Sequence, residues 1–371
     1  MIIGIPKEIK IKEFRVGATP SMVRALVKRG HTVLVETKAG AEILFSDDDY
    51  RSAGATIVAS AKEIYQAEMV VKVKEPQEAE FALLRPGQIL FCFLHLAPDP
   101  IQTQHLLEKK VVGIAYETVT DARGQLPLLT PMSEIAGRLS IQVGATALQL
   151  NNGGKGILLS GVPGVPPAKV VVIGGGVSGT GAARMAMGAG ADVIVIDKSI
   201  PRLRELDALY GPRLQTLYST PESVEEAIKD ADLVIGAVLI PGKVAPKVIT
   251  KEMIKKMKPR SVIVDISIDQ GGCSETSHPT SHDDPVYTVD GIIHYCVTNM
   301  PGACARTATL ALTQATMEYV IALADKGYVQ ALKDDRHLLE GLNVCNGHVT
   351  NAHVAHDLNL PYVKAQTVIC G

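Results

Sequence analysis

The stretch KVVVIGGGVSGTGAARMAMGAGADVIVID, residues 169–197, constrains this chain more than any other, because it sets out a strand, a glycine turn, a helix and a second strand in unbroken order. Residues 170–173 form a short β-branched run, as expected of a parallel strand buried on both faces. Gly174, Gly176 and Gly179 follow in the spacing G-x-G-x-x-G. The first permits the tight turn, the second admits a pyrophosphate close to the backbone, and the third lets the helix pack on its strand. Backbone N–H groups around Val177 and Ser178 then open a helix whose positive end stabilises phosphate oxygens. The second apolar run, 193–196, ends in Asp197, 18 residues beyond Gly179. An acid at that place accepts the ribose hydroxyls of a dinucleotide. It also favours NAD over NADP, since a carboxylate repels a 2′-phosphate, although Lys198 and Arg202 lie close enough to soften the preference.

At 371 residues the chain is too long for one ordinary core, and two domains are expected. A net charge of -2 supplies no basic field for nucleic acid and no polybasic patch for a membrane. Apolar runs stay well short of the ~18 residues of a membrane span, and the N-terminal MIIGIPKEIKIKE reads as a strand rather than a signal peptide, so a cytoplasmic location is expected. Cys92, Cys273, Cys296, Cys304, Cys345 and Cys370 show no C-x-x-C pair and are expected as reduced thiols.

Before the glycine turn, strand candidates at 2–5, 32–36, 69–73, 89–94 and 111–116 alternate with helical stretches such as 21–28, opened by Thr19-Pro20. This predicts a second doubly wound sheet, in which ligands gather beyond the carboxyl ends of the strands. Those ends carry Lys74 in KVK, His95 in FCFLH and Glu117 in IAYE, with Arg15 in the loop after the first strand. Taken singly, Arg15 and Lys74 read as solvated charges. His95, closing an apolar run between Leu94 and Leu96, reads equally as a hydrogen-bonded core residue or a site residue. A helix is expected over 131–150 and a Gly/Pro-rich loop or hairpin over 151–168.

After Asp197, strands are expected at 214–218, 233–237, 261–266 and 292–297, which completes a six-stranded dinucleotide sheet. Its strand ends are Gly174, Asp197, Ser219, Val238 with Leu239, Ser267 to Asp269, and Thr298 to Met300. Asp269 stands as the acid just past the fifth strand, where the nicotinamide half is expected. His278 and His282, with Cys273 and Asp283 nearby, are not expected to bind metal, because SETSHPTSHDDP is a loop rather than a helix that would align both rings. A long helix is expected over 307–326, with a tail that returns to the first sheet. The expected fold is therefore α/β, two doubly wound Rossmann-like domains with a cleft between them: 1–130 plus 302–371 for substrate and catalysis, and 131–301 for NAD.

Several stretches together resemble bacterial alanine dehydrogenases, which share ancestry with the nucleotide-binding subunit of the proton-translocating transhydrogenase. They are IGIPKEIK with EFRVG, VVKVKEP, LHLAPD, IAYETV, LPLLTPMSEIAGRLS, DLVIGAVLIPG, VDISIDQGGC, HYCVTNMPG and LEGLNV. The resemblance implies reversible oxidative deamination of L-alanine to pyruvate and ammonium with NAD. Arg15 and Lys74 would hold the substrate, while His95 and Asp269 exchange protons. For NAD it implies Ser133, the glycine turn, Asp197, Arg202, Ser219, Leu239, the turn Ile266, Ser267, Ile268, Asp269 and the turn Val297, Thr298, Asn299, Met300. It also implies a hexamer. Where relatives carry Thr-Tyr this chain has Cys92-Phe93, and Cys304 stands for Val; both read as packing changes. The competing readings are a non-catalytic transhydrogenase subunit and a saccharopine-type dehydrogenase.

Overall fold

A computed structural model describes residues 1–238 and 244–370. The strands among them run, in chain order, β1 Ile2–Ile5, β2 Thr32–Glu36, β3 Thr56–Val58, β4 Met69–Val71, β5 Ile89–Cys92, β6 Val112–Ala115, β7 Lys169–Ile173, β8 Asp192–Asp197, β9 Gln215–Tyr218, β10 Leu233–Gly236, β11 Val262–Asp265, β12 Val286–Val289, β13 Ile292–Tyr295, β14 Leu342–Cys345 and β15 His348–Val349. The chain divides into two compact units, Met1–Pro131 with Cys304–Gly371, and Met132–Ala303.

The first unit holds one sheet in the order β15-β14-β6-β5-β4-β1-β2-β3. Strands β1 to β6 are mutually parallel where they pair, and β4, β5 and β6 are buried along their whole length, as apolar runs covered on both faces must be. The chain enters the helix Pro20–Lys28 through Thr19, whose hydroxyl accepts from Met22 N–H, with Pro20 in the first turn where a missing N–H costs nothing. The regular part of strand β4 ends at Val71, two residues short of the expected 73, although Lys72 and Val73 still bond to the backbone of Phe91 and Phe93; the side chain of Lys72 packs against buried carboxylates. The tail joins this sheet through β14, antiparallel to β6. The helix leading to it spans Ala305–Asp334, longer than expected, and is broken at Gly327, where φ is 73°.

The second unit holds a seven-stranded sheet, β12-β13-β11-β10-β7-β8-β9. Val170, Val171, Val172 and Ile173 are at most 2% exposed, so each contributes on the order of 1.5–3 kcal/mol of apolar burial. The strand beyond the expected six is β12, which folds back antiparallel onto β13 through Asp290-Gly291. The helix over the domain junction is Thr130–Ala147, and the Gly/Pro-rich passage after it holds a single bridge, Val162 to Val165.

Each sheet reverses its strand order once, at β1 beside β4 in the first unit and at β7 beside β10 in the second. In open α/β sheets these reversals open the crevice that takes a ligand.

Candidate active site

At the reversal in the first unit, the loop after β1 supplies Arg15 and the segment after β4 supplies Lys74. Arg15 is not a solvated loop charge: it is 2% exposed and forked onto buried Glu13, Nε donating to Oε1 at 2.7 Å and Nη2 to Oε2 at 2.6 Å. Burial opposes ionisation of Glu13, yet the hydrogen bonds and charge of Arg15, with Lys74 adding to them, carry its carboxyl below the ordinary range. Two donors of the guanidinium are thus fixed, which orients the whole plane. Lys74 is partly buried, and its N–H donates to Glu8 at 3.3 Å. Lys72, two residues earlier, is consumed internally by Glu80 at 2.8 and 3.0 Å.

His95 lies just past β5, and its ambiguity in the sequence is resolved by exposure. The imidazole is 44% exposed and parallel to buried Phe93, with ring centroids 5.8 Å apart. Its backbone is left-handed, at φ 48°, a conformation that costs a non-glycine residue. Glu117, beyond the neighbouring β6, holds that turn: its carboxylate accepts from His95 N–H at 2.7 Å and from Leu94 N–H at 3.2 Å, and Oε1 lies 3.9 Å from Nδ1. The strand-end pattern contained Glu117, but nothing in the sequence said that it grips the histidine.

In the second unit the three glycines of the turn have three different reasons. Gly174 has φ 101°, and a Cβ there would stand 2.4 Å from the carbonyl of Ala237. At Gly179 a Cβ would stand 1.7 Å from the carbonyl of Gly174, so the helix Val177–Gly188 could not seat on its turn. A Cβ on Gly176 would meet nothing within 4 Å. No packing explains that glycine, and an open seat in front of a helix N-terminus is what a pyrophosphate needs. Gly176→Ala is therefore expected to keep the wild-type melting temperature while weakening NADH binding by at least about tenfold, read by fluorescence titration. A loss of stability with unchanged affinity would remove the phosphate role.

Asp197 ends β8, accepting from Gly175 N–H at 2.6 Å and Ser199 N–H at 2.7 Å. A carboxylate has about four acceptor sites, which leaves room for a vicinal diol. Arg202 braces the same turn: Nε donates to Gly175 carbonyl, Nη2 to Thr180 and Nη1 to Glu205. Its guanidinium is a fixture of the turn rather than a solvated arm. Ser133, Val177, Ser178, Lys198, Ser219 and Val238 are all at least partly exposed, whereas Leu239 lies outside the described residues.

Asp269 is exposed on the short 3-10 helix Ile266–Gln270 after β11, and its Oδ1 accepts from Asn299 N–H at 3.1 Å. The two expected turns, 266–269 and 297–300, are thereby joined. Within them Ser267, Ile268, Val297 and Met300 are buried, so a ligand here meets their backbone, while Ile266 and Asn299 are partly exposed and Thr298 is exposed. Below the turn, buried Asp265 accepts from Ser267, Cys273 and Ser277, a brace that sequence reasoning missed because Asp269 alone stands past the strand. His278 lies against Tyr287, with ring centroids 3.6 Å apart, and among the described residues no cluster of His, Cys, Asp or Glu is arranged to hold a metal ion.

A glycine turn of the dinucleotide-binding kind, in a chain that sets Arg15 and Lys74 at the reversal of a second sheet and an exposed imidazole past the neighbouring β5, fits the class of nucleotide-dependent oxidoreductases. The comparisons carry this further. The family described as alanine dehydrogenase/PNT matches with its N-terminal domain over residues 4–136 and its C-terminal domain over 140–352. An alanine dehydrogenase of Halomonas elongata is 55% identical over 370 residues, covering all of both chains, and one of Bacillus subtilis is 54% identical, covering 100% of this chain and 98% of that one. A solved L-alanine dehydrogenase superposes with a TM-score of 0.94 at 52% identity, over 97% of this chain and 99% of that one. A transhydrogenase from Sinorhizobium meliloti shares the fold, with a TM-score of 0.83 at 24% identity over 94% of this chain and 100% of that one. The chain belongs to the alanine dehydrogenase/PNT family, and the family together with its Rossmann-like fold implies a nicotinamide cofactor.

Proposed function

We propose that this protein catalyses the reversible, NAD-dependent oxidative deamination of L-alanine, giving pyruvate, ammonium and NADH. The observation that carries the proposal is 55% identity, over all of both chains, to a curated alanine dehydrogenase, in a chain that has Lys74, His95 and Asp269 just past strands and Arg15 in the loop after β1. The unit 1–131 with 304–371 takes the substrate, and the unit 132–303 takes NAD.

Bound at the glycine turn and Asp197, NAD supplies the hydride acceptor. The side chains do the rest. Arg15, its plane set by Glu13, pairs with the substrate carboxylate, and Lys74 polarises the oxo group of pyruvate. The imidazole of His95 takes and returns protons at the substrate nitrogen and at the adding or leaving water. Asp269, whose carboxylate accepts from Asn299 N–H, is the second proton-exchanging group. The protein works in the cytoplasm as a homo-oligomer, a hexamer by family resemblance; no helix among the described residues is long and apolar enough to cross a membrane.

Oxidation of NADH in the presence of pyruvate and ammonium tests this directly. No consumption would overturn the assignment, and consumption that requires lysine would turn it toward the saccharopine type. Selection of NAD rests on Asp197. Asp197→Ala should lower kcat/KM for NAD by about tenfold or more and narrow its advantage over NADP, with Lys198 rather than the engaged Arg202 meeting the phosphate. An unchanged ratio between the two cofactors would show that Asp197 does not select.

A further inference from the structure

Glu8 sits in the loop after β1, 5% exposed, directly across the strand reversal from the end of β4. Its Oε1 accepts from Val73 N–H at 2.7 Å and from Lys74 N–H at 3.3 Å. Its Oε2 makes no hydrogen bond and faces the Nζ of Lys72 at 3.4 Å. One carboxylate therefore holds the backbone of the segment that presents Lys74, and the lysine just before that segment holds the carboxylate in place.

We propose that Glu8 is a positioning residue for Lys74, clamping the backbone of residues 73–74 so that the lysine is presented to the substrate at a fixed height above the sheet. This rests on the assignment of Lys74 to the substrate. The argument is energetic as well as geometric. Burial raises the carboxyl of Glu8 above its ordinary range, with Lys72 and the Val73 N–H opposing that. Glu80 already neutralises Lys72 with two hydrogen bonds, so the fold does not need a second buried acid there. Buried ions of this kind are often replaceable by apolar groups without loss of stability, so stability alone does not account for Glu8. On the β5 side the backbone stays paired past Val71, Lys72 N–H donating to the Phe91 carbonyl at 3.2 Å and the Val73 carbonyl accepting from Phe93 N–H at 3.1 Å, while Glu8 supplies the acceptor for the N–H groups of Val73 and Lys74.

The test is a double-mutant cycle on the purified enzyme, with KM for pyruvate, kcat and the NADH dissociation constant measured for Glu8→Leu, Lys74→Ala and the double variant; leucine removes the acceptor that glutamine would keep. Glu8→Leu should raise KM for pyruvate by roughly fivefold to thirtyfold and leave NADH affinity unchanged. In the Lys74→Ala background the same change should add less than about twofold, because its effect passes through a side chain already removed. A general loosening of the fold would not produce that coupling. Equal effects of Glu8→Leu in both backgrounds, or no effect on KM in either, would overturn the clamp while leaving Lys74 in the site. If Lys74→Ala itself leaves KM unchanged, the assignment of Lys74 fails first and the clamp with it. Should Glu8→Leu not fold, Glu8→Asp keeps the charge beside Lys72 but falls one methylene short of the two N–H groups. The same rise in KM and the same coupling are then expected, and wild-type kinetics would overturn the proposal.

Discussion

His95→Ala is expected to lower kcat for the reductive amination of pyruvate by about 10²- to 10⁴-fold, the usual worth of a positioned general acid or base, and to leave the dissociation constant for NADH unchanged. The expectation follows from how the residue is held. Only the ring is exposed; its neighbours Phe93, Leu94 and Leu96 are at most 3% exposed, and the left-handed turn that lifts it out is fixed by two N–H bonds to Glu117. Those bonds come from the backbone, so alanine keeps them and the turn survives, apart from the cost a Cβ residue already bears at φ 48°. A loss of rate with intact folding and intact NADH binding therefore reports the imidazole itself. His95→Gln, which retains hydrogen bonding without titrating near neutrality, should not restore the rate. A variant that keeps the wild-type kcat would take His95 out of the proton path.

Much of this arrangement was legible in the sequence, and the parts that were not have identifiable causes. The glycine turn was legible because Gly174 and Gly179 answer backbone constraints that a Cβ would violate, and Gly176 falls between them at the spacing a phosphate seat requires. The hairpins that extend the two sheets carry a sequence signal of their own. Asp290-Gly291 and Asn346-Gly347 each join two strands with positive φ at both residues, 50° and 78° in one and 51° and 87° in the other, the signature of a two-residue hairpin turn. Strands of two to four residues flanking them are too short to show a period. The partners of the candidate site were illegible for another reason. Glu8, Glu13, Glu117 and Asp265 hold backbone or guanidinium groups through contacts that depend on the three-dimensional path of loops. A glutamate in KEIKIKEF reads as solvent-facing until the loop is seen to turn it inward.

Arg15 tests that lesson most directly. Arg15→Lys should raise KM for pyruvate and for alanine by roughly tenfold to hundredfold, equivalent to losing a charge-assisted hydrogen bond worth about 1.5–3 kcal/mol. A lysine presents a point charge where the guanidinium presents a fork, and two tines of that fork are taken by Glu13. A single ammonium cannot hold Glu13 in the same way and also reach a carboxylate with fixed geometry. The same substitution carries a second signature. Glu13 has its carboxyl lowered beneath the ordinary 4.5 by Arg15 against the opposing effect of burial. A carboxyl depressed in the folded state contributes stability that is present above its unfolded pKa and lost as the pH falls through the folded value. Weakening the pair brings the folded value back up, so acid unfolding of Arg15→Lys should begin at higher pH than in the wild type, seen by circular dichroism. The two readouts separate the two roles of this arginine. An earlier acid transition with KM values within about twofold of wild type would mean that Arg15 serves Glu13 and the fold alone, and the substrate carboxylate would then need another cation.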